Sequence, residues 1–450
     1  MNSLIHKNLI RLLAPKRVRL FKKILSRQEW TGEQIKHYQE QKLRKMIKYC
    51  WEYVPYYQHK WKTSISAPED IQTIEDLQQL PLLTKDEVRN ELEALTTTAD
   101  WVKSSSARTG GSTGRPIIFR MTKYDEELAW AQMYTGWHWA GYRIGDPFLV
   151  VGGESVGIGT DDKRSRKDVI INRWVTSGSN ITAERVKKLT QSDHFNKVTF
   201  IYGYPNAIRE LGEQLYAIGE KPAALKGIAC TAEVMRKEIR ARISETFGGV
   251  RVLDQYGLND GALHACEGVE QNGLHLSFHS GILEILDDNN RQITEPDKSG
   301  HAIATGIVNM ATPFIRYQTG DQLHWSRVDS ADAVVKWPKI GPVDGRTGDV
   351  IYLSTGRSIA MPGLTLVMRW LDGLSQYQFI QTDKDSVTAR LDVDKTFAMT
   401  EAEVIAYLEE KIAPEIKWNI VWDKPELTRN EKLLIIKNDW LRAQGLERPQ

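Results

Sequence analysis

The stretch Val198–Gly219, VTFIYGYPNAIRELGEQLYAIG, passes from a short apolar run into a helical pattern across the turn residues Gly203 to Asn206. The same change recurs on both sides. The helical stretch Asp125–Ala140 leads to FLVVGG, AERVKKLTQ leads to VTFIYGY, NAIRELGEQLYAIG leads to GIAC, and AEVMRKEIRARISETFG leads to VRVLDQYG. In the last of these helices Thr231 is the expected N-cap and Gly248 the residue just past the C-terminus. Helices alternating with short, continuously apolar strands predict a parallel sheet with crossover connections. Such sheets bind ligands at the carboxyl ends of their strands. The polar segments Gly203–Asn206, Thr231–Glu233 and Tyr256–Asp260 are therefore where chemistry is expected.

The flanks differ in texture. Upstream, Thr31–Gln34 reads as a capping box opening a helix that Pro55 ends, and Thr84 with Glu87 opens another. Downstream, GILEILDDNNRQI reads as a hairpin turning at Asp287–Asn290, and HAIATGI and DAVVKW read as strands. GPVDGRTGDV is rich in glycine and charge and marks a boundary. Beyond it lies a small α+β unit with the strands VIYLS and WNIVW, the helix EAEVIAYLEEKI and the polar loop DKPELTRNEK. The expected class is α/β. A large amino-terminal domain of parallel and mixed sheets with flanking helices spans 1–345, and a small mobile α+β domain spans 346–450.

Composition narrows the function. At 450 residues, 41% hydrophobic and 26% charged, the chain reads as an ordinary globular protein of more than one core. A net charge of +2 argues against a nucleic-acid binder. No apolar run is long enough to span a membrane, and no secretory signal is visible. Three cysteines make no disulfide framework, which fits a reducing cytoplasm. Residues 1–27 interleave eight lysines and arginines with leucines, isoleucines and Phe21. Two readings stand for them: a basic amphipathic contact with the inner face of a membrane, and a helix packed on its own domain. Trp130 and Trp137 share a helical face, as core or as the wall of a pocket. His264, Cys266, His275 and His279 carry donors suited to zinc, at intervals that match no standard zinc module.

TGGSTGRP (109–116) places three glycines and three hydroxyls ahead of Ile117 and Ile118. It is not a Walker loop, since no Gly-Lys-Ser/Thr follows at the required spacing. Glycines nevertheless let successive N–H groups converge on an anion, and Arg115 adds positive charge. By itself the segment reads equally as a turn.

Taken in order, these segments resemble the adenylate-forming enzymes, and within them the phenylacetate–CoA ligase and CapK-like group. TGGSTGRP is similar to that family's phosphate loop, with Arg115 in place of its usual lysine. YGYPNAI and CTAEVMRKEI resemble segments lining the acyl and adenine pockets, DQYGLND its Tyr-Gly-x-Thr-Glu motif, and PFIRYQTGD its ribose-binding segment. DGRTGD resembles the hinge, LTRNEKLLIIKN falls at the catalytic-lysine loop, and YVPYY and LPLLTKDEVR are typical of the subgroup.

The resemblance implies a reaction with ATP, Mg²⁺ and a carboxylic acid, giving an acyl-adenylate and then acyl transfer to CoA or an amine. It implies that Thr109, Gly110, Gly111, Ser112, Thr113, Gly114 and Arg115 hold phosphate. Ala232, Glu233, Tyr256, Gly257, Asp321 and Arg346 complete the ATP site, with Asp321 on the ribose hydroxyls. Tyr202, Gly203, Tyr204 and Pro205 line the acyl pocket, and Asp260 holds Mg²⁺. Lys432 and Arg346 are the catalytic cations, and Asp349 is the hinge. Three positions depart from the family pattern: Asp260 stands for glutamate, Asn259 for a hydroxyl residue, and Glu431 for glycine. They motivate the alternative of a nucleotide-binding protein without catalysis.

Overall fold

A computed structural model describes residues 3–108, 117–152, 164–178, 181–233, 235, 237–258, 261–327, 334–343, 345–346, 350–354, 358–360, 364, 367–368, 371–427 and 433–443. The chain opens on helices α1 (Ser3–Leu13), α2 (Pro15–Leu25) and α3 (Gly32–Tyr53). Short helices α4 (Pro55–Lys60), α5 (Lys85–Asn90) and α6 (Leu92–Leu95) follow. Thr31 and Gln34 form the expected capping box of α3, as Thr84 and Glu87 do for α5, so orphan amides at both helix starts are paired.

The hairpin β1 (Ser104–Arg108) and β2 (Ile118–Thr122) leads into α7 (Lys123–Trp139). Next come β3 (Phe148–Gly152), α8 (Arg166–Ile170), β4 (Arg173–Ser177), α9 (Ala183–Thr190), β5 (Phe200–Gly203), α10 (Pro205–Ala217), β6 (Gly227–Thr231), α11 (Lys237–Thr246) and β7 (Arg251–Gly257). The sheet is completed by β8 (His264–Glu267) and β9 (Leu274–Leu276). β10 (Gly281–Leu286), β11 (Gly300–Gly306) and β12 (Tyr317–Leu323) belong to a second sheet. The tiny strand β13 (Lys339–Ile340) rejoins the first sheet, and β14 (Gly345–Arg346) the second.

The first sheet has eight strands in the order β13-β9-β8-β7-β6-β5-β3-β4. From β4 to β7 they run parallel, and from β7 to β13 antiparallel. Strands β3, β5 and β6 are buried at every residue, which is why they read as unbroken apolar runs. After β3 the chain adds β4 on one side, then returns to lay β5 on the other. This reversal opens a crevice at the carboxyl ends of β3 and β5. The indole of Trp137 fills the gap between α7 and the sheet, its ring 4.8 Å from that of Tyr202 and 5.2 Å from that of Phe200. Trp137 is core, not a pocket wall.

The second sheet is antiparallel, β10-β11-β12-β14. Arg316, just before β12, holds it to the amino-terminal region. Its guanidinium lies 2.9 Å from Glu284 and donates to the carbonyl of Leu80 at 2.6 Å, both buried. The amide of Leu83 donates to the carbonyl of Arg316 and its carbonyl accepts from the amide of Gln318, both at 2.9 Å, so LPLLT and FIRYQ are two sides of one contact.

The remaining elements are the hairpin β15 (Val350–Tyr352) and β16 (Ser358–Ala360), and a sheet β19-β18-β17-β20. Its members are β17 (Leu374–Asp383), β18 (Ser386–Val393), β19 (Lys417–Val421) and β20 (Ile436–Asn438), with the helix Glu401–Lys411 beside them. They enclose a hydrophobic cluster of their own, from Ile351 to Ile436.

The chain turns at Asp287–Asn290 as expected, with the amide of Asp287 donating to the carbonyl of Arg291 at 2.8 Å and Leu286 bridging Gln292 antiparallel, while the long ladder of β10 is with β11. Two local expectations are corrected. Thr231 is the last residue of β6, and α11 begins at Lys237. In DAVVKW the described residues 334–337 form no strand, since Val335 and Trp337 are anchored individually in an aromatic cluster. The sheet also holds a strand, β4, that the sequence reading left out.

Candidate active site

The crevice is floored by backbone. At the end of β5, Gly203 passes so close to β3 that a Cβ would stand 1.8 Å from the carbonyl oxygen of Val151. The amide of Tyr204 donates to that same oxygen at 3.0 Å. Pro205 then starts α10, where its missing N–H costs nothing. Tyr202 and Tyr204 are both buried. Their burial and that of Pro205 make the candidate acyl segment a rigid wall.

At the end of β6 the chain turns sharply. Ala232 has φ +70°, a strained value for a residue with a Cβ, and it sets the direction of Glu233. One oxygen of Glu233 accepts from the amide of Asn206 at 3.2 Å and from its Nδ2 at 2.8 Å. The other accepts from the amide of Leu433 at 3.3 Å. Leu433 follows Lys432 directly, so this bond ties the lysine segment to the end of the large sheet. Gln376 of β17 donates to the Oδ1 of Asn206. Arg209 on α10 pairs with Asp392 of β18 at 3.4 Å, and Lys424 lies 3.9 Å from Glu210. The contact between the two cores is thus polar at each of these points.

At the end of β7, the hydroxyl of Tyr256 donates to Asp321 Oδ2 at 2.9 Å. These two side chains are 65 positions apart and both buried, at 8% and 3% exposure. The amide of Asp321 donates to Thr319 Oγ1 at 3.0 Å and fixes the strand. Across the ladder Asp321 is paired with Arg346 in backbone register, and Gly257 pairs with His264. Beneath Tyr256, Asp254 is buried, and its amide donates to Glu267 at 2.7 Å. Burial, then the like charge of Glu267, push its carboxyl up to about 7, against the pull of Arg240. Arg240 in turn grips Glu267 through two bonds at 2.7 and 2.9 Å.

Candidate residues from β5, β6, β7, β12 and β14, and the residue after Lys432, therefore gather along one edge. No family model matches the chain. In sequence it is 23% identical over 328 residues to the phenylacetate-coenzyme A ligase of Thermus thermophilus, covering 71% of this chain and 72% of the relative. It is 24% identical over 336 residues to protein CapK of Staphylococcus aureus, with 72% of each covered. In structure it overlays 2-hydroxyisobutyryl-CoA ligase, in the postadenylation state with 2-HIB-AMP, with a TM-score of 0.71 at 18% identity over 94% of each chain. The fold is that of the adenylate-forming ligases. In sequence the chain is similar to their phenylacetate–CoA ligase and CapK-like members.

Within this adenylate-forming fold, Thr109 to Arg115, Asp260, Asp349 and Lys432 lie outside the described residues. For Arg346 only the backbone is described. Arg209, Gln376 and Asp392 are absent from the residues the sequence points to, whereas Asn206 ends the polar segment Gly203–Asn206 expected to carry chemistry. Gln376 and Asp392 are not legible in the sequence, because nothing local in a strand names its partner far along the chain.

The zinc reading is corrected. His264 and Cys266 sit on β8 with Sγ 3.9 Å from each ring nitrogen, and His275 faces Cys266 across the ladder. His279 stacks on Phe278 at 4.0 Å and shares a 3.2 Å bond with Ser277. Among the described residues no three His, Cys, Asp or Glu side chains converge on one point. Burial lowers His264 to about 4 and His279 to about 3, so both are neutral packing groups near pH 7. Cys230 is likewise buried, its thiol pushed up.

Proposed function

We propose that this protein is an ATP-dependent ligase that activates a carboxylic acid as its acyl-adenylate and then transfers the acyl group to CoA or an amine. The bond from the amide of Leu433 to Glu233 carries the reading, because it brings the residue that follows Lys432 to the end of β6. There an ammonium would meet negative charge developing between carboxylate and α-phosphate. Tyr256 and Asp321 are already joined where adenine and ribose would sit. The loop 109–116 would hold the outer phosphates, Asp260 would ligate Mg²⁺, and Arg346 would reach the ribose. A division into 1–345 and 346–450, with Asp349 as hinge, agrees with the separate core from Ile351 to Ile436. Rotation there would part adenylation from acyl transfer.

Free, buried Cys50, Cys230 and Cys266 suit a cytoplasmic setting. No described helix is long and apolar enough to cross a membrane. The resemblance to the CapK-like group extends this proposal to a place in surface-polysaccharide synthesis. Carboxylate-dependent exchange of ATP with pyrophosphate, run across aryl, fatty, amino and sugar acids, tests the proposal. One acid class should support exchange, and Lys432→Ala should lower it at least a hundredfold. ATP binding with no exchange for any acid would instead leave a nucleotide binder.

A further inference from the structure

The helical hairpin at the start of the chain presents two faces with different tasks. Its inner face is committed. His6 and Ile10 of α1 are buried, and His6 Nδ1 lies 3.2 Å from the carbonyl of Ile170 on α8. In α2, Ile24 is buried, and Arg17 pairs with Glu127 of α7 at 2.8 Å in a buried salt bridge. This is ordinary domain packing.

The outer face carries what packing does not use. On α1, Ile5, Arg11 and Leu12 are exposed together, and Leu13 closes the tip before α2. Leu12 is 75% and Leu13 57% exposed. On α2, Lys16, Arg19, Lys22 and Lys23 form one solvent stripe. Among the described residues no carboxylate stands within salt-bridge reach of these cations or of Arg11, and the chain's first acidic residue is Glu29. Tertiary structure widens the stripe. Lys42 of α3 lies near Lys45, Lys23 and Arg27, and that crowding, after burial, lowers the Lys42 ammonium. On α8, docked against α1, Arg166, Lys167 and Val169 are exposed. Of the acidic residues near this region, Glu126 and Glu127 are engaged by Lys123, Glu127 also by Arg17, and buried Asp125, on which the charge of Lys16 acts, accepts from Thr122 at 2.6 Å.

We propose that this face docks on an anionic lipid bilayer, the basic stripe lying over the headgroups while Leu12 and Leu13 enter the interface. Lys16 rests over the Tyr124 ring at 4.6 Å, but no cation of the stripe has a carboxylate partner among the described residues. Such cations in a row attract an anionic surface, and two adjacent exposed leucines at a tip supply apolar insertion. A second copy of the chain is disfavoured as the occupant. An isologous contact would set these cations against their own copies. The inference is independent of ligase activity, since none of these residues belongs to the candidate active site.

Flotation of the intact chain with phosphatidylcholine vesicles, with and without 30% phosphatidylglycerol, tests it. The wild type should float with the anionic vesicles alone and be released by 0.5 M salt. Replacing Lys16, Arg19 and Lys22 by glutamine should weaken partitioning about a hundredfold, or roughly fivefold per charge. Leu12→Ser with Leu13→Ser should weaken it at least tenfold at unchanged charge. Thermal unfolding matching the wild type would show that both variants fold. No flotation, equal flotation of all three proteins, or binding of heparin without vesicles would overturn the proposal. So would a dimer that the leucine variant abolishes without any vesicle binding. Flotation reads lipid binding whether or not ATP turns over, so its failure leaves the ligase reading standing.

Discussion

At Asp254 two effects act in the same direction: the carboxyl is buried, and Glu267 lies beside it. In the unfolded chain it would ionise near 3.8, and in the fold near 7. The folded state therefore keeps a proton that the unfolded state has lost. Its contribution to stability is fully present below about pH 4 and disappears as pH rises through 7. Asp254→Asn cannot ionise. The stability of the wild type relative to this variant should fall between about pH 4 and pH 7, by at most about 1.4 kcal/mol per pH unit, and level off above. Urea unfolding of both proteins at several pH values measures it, and a difference flat with pH would refute the assignment. This residue sits two positions before Tyr256, in a motif whose sequence identified the aromatic but not the acid below it. Burial of an aspartate cannot be read from its neighbours in the chain.

Among elements, β5 shows how the crevice depends on a missing side chain. Gly203→Ala would drive a methyl into the Val151 carbonyl, which also accepts from Tyr204 and so cannot move freely. The variant should lose about 3 kcal/mol or more and express poorly. A melting temperature unchanged from the wild type would show that β3 gives way. Period and composition made β3, β5, β6 and β7 legible, because strands buried on both faces must be apolar throughout. β4 was not legible, because RWVTS has an edge strand's mixed exposure and its pairing to β3 is a long-range event. The false cap at Thr231 has a similar cause: a hydroxyl before a helical pattern signals a cap only if the helix begins there.

For the whole molecule, Glu233 is the joint that matters. It holds Asn206 at the start of α10 and the amide of Leu433 beyond the lysine, and Gln376 seals the same point. A bond to a charged acceptor is worth about 1.5–3 kcal/mol. Glu233→Gln should therefore slow pyrophosphate exchange by roughly tenfold to a hundredfold. Acyl transfer from a preformed acyl-adenylate, where this contact would be broken, should change less than about threefold. Equal losses in both half-reactions would mean that Glu233 serves the site and not the docking of the small domain.

What the sequence by itself determined is the order of elements and the identity of the chemical segments. Helix caps, buried strand runs and glycine-rich turns obey local sterics and hydrogen bonding, so they are written in neighbouring residues. Only the tertiary structure decided that Tyr256 bonds to Asp321, that Glu233 faces Leu433, and that four zinc-like donors are packing groups. It also decided which face of the first two helices is turned away from the protein. Each of these rests on contacts between residues far apart in the chain, where distance and burial, not residue type, set the chemistry.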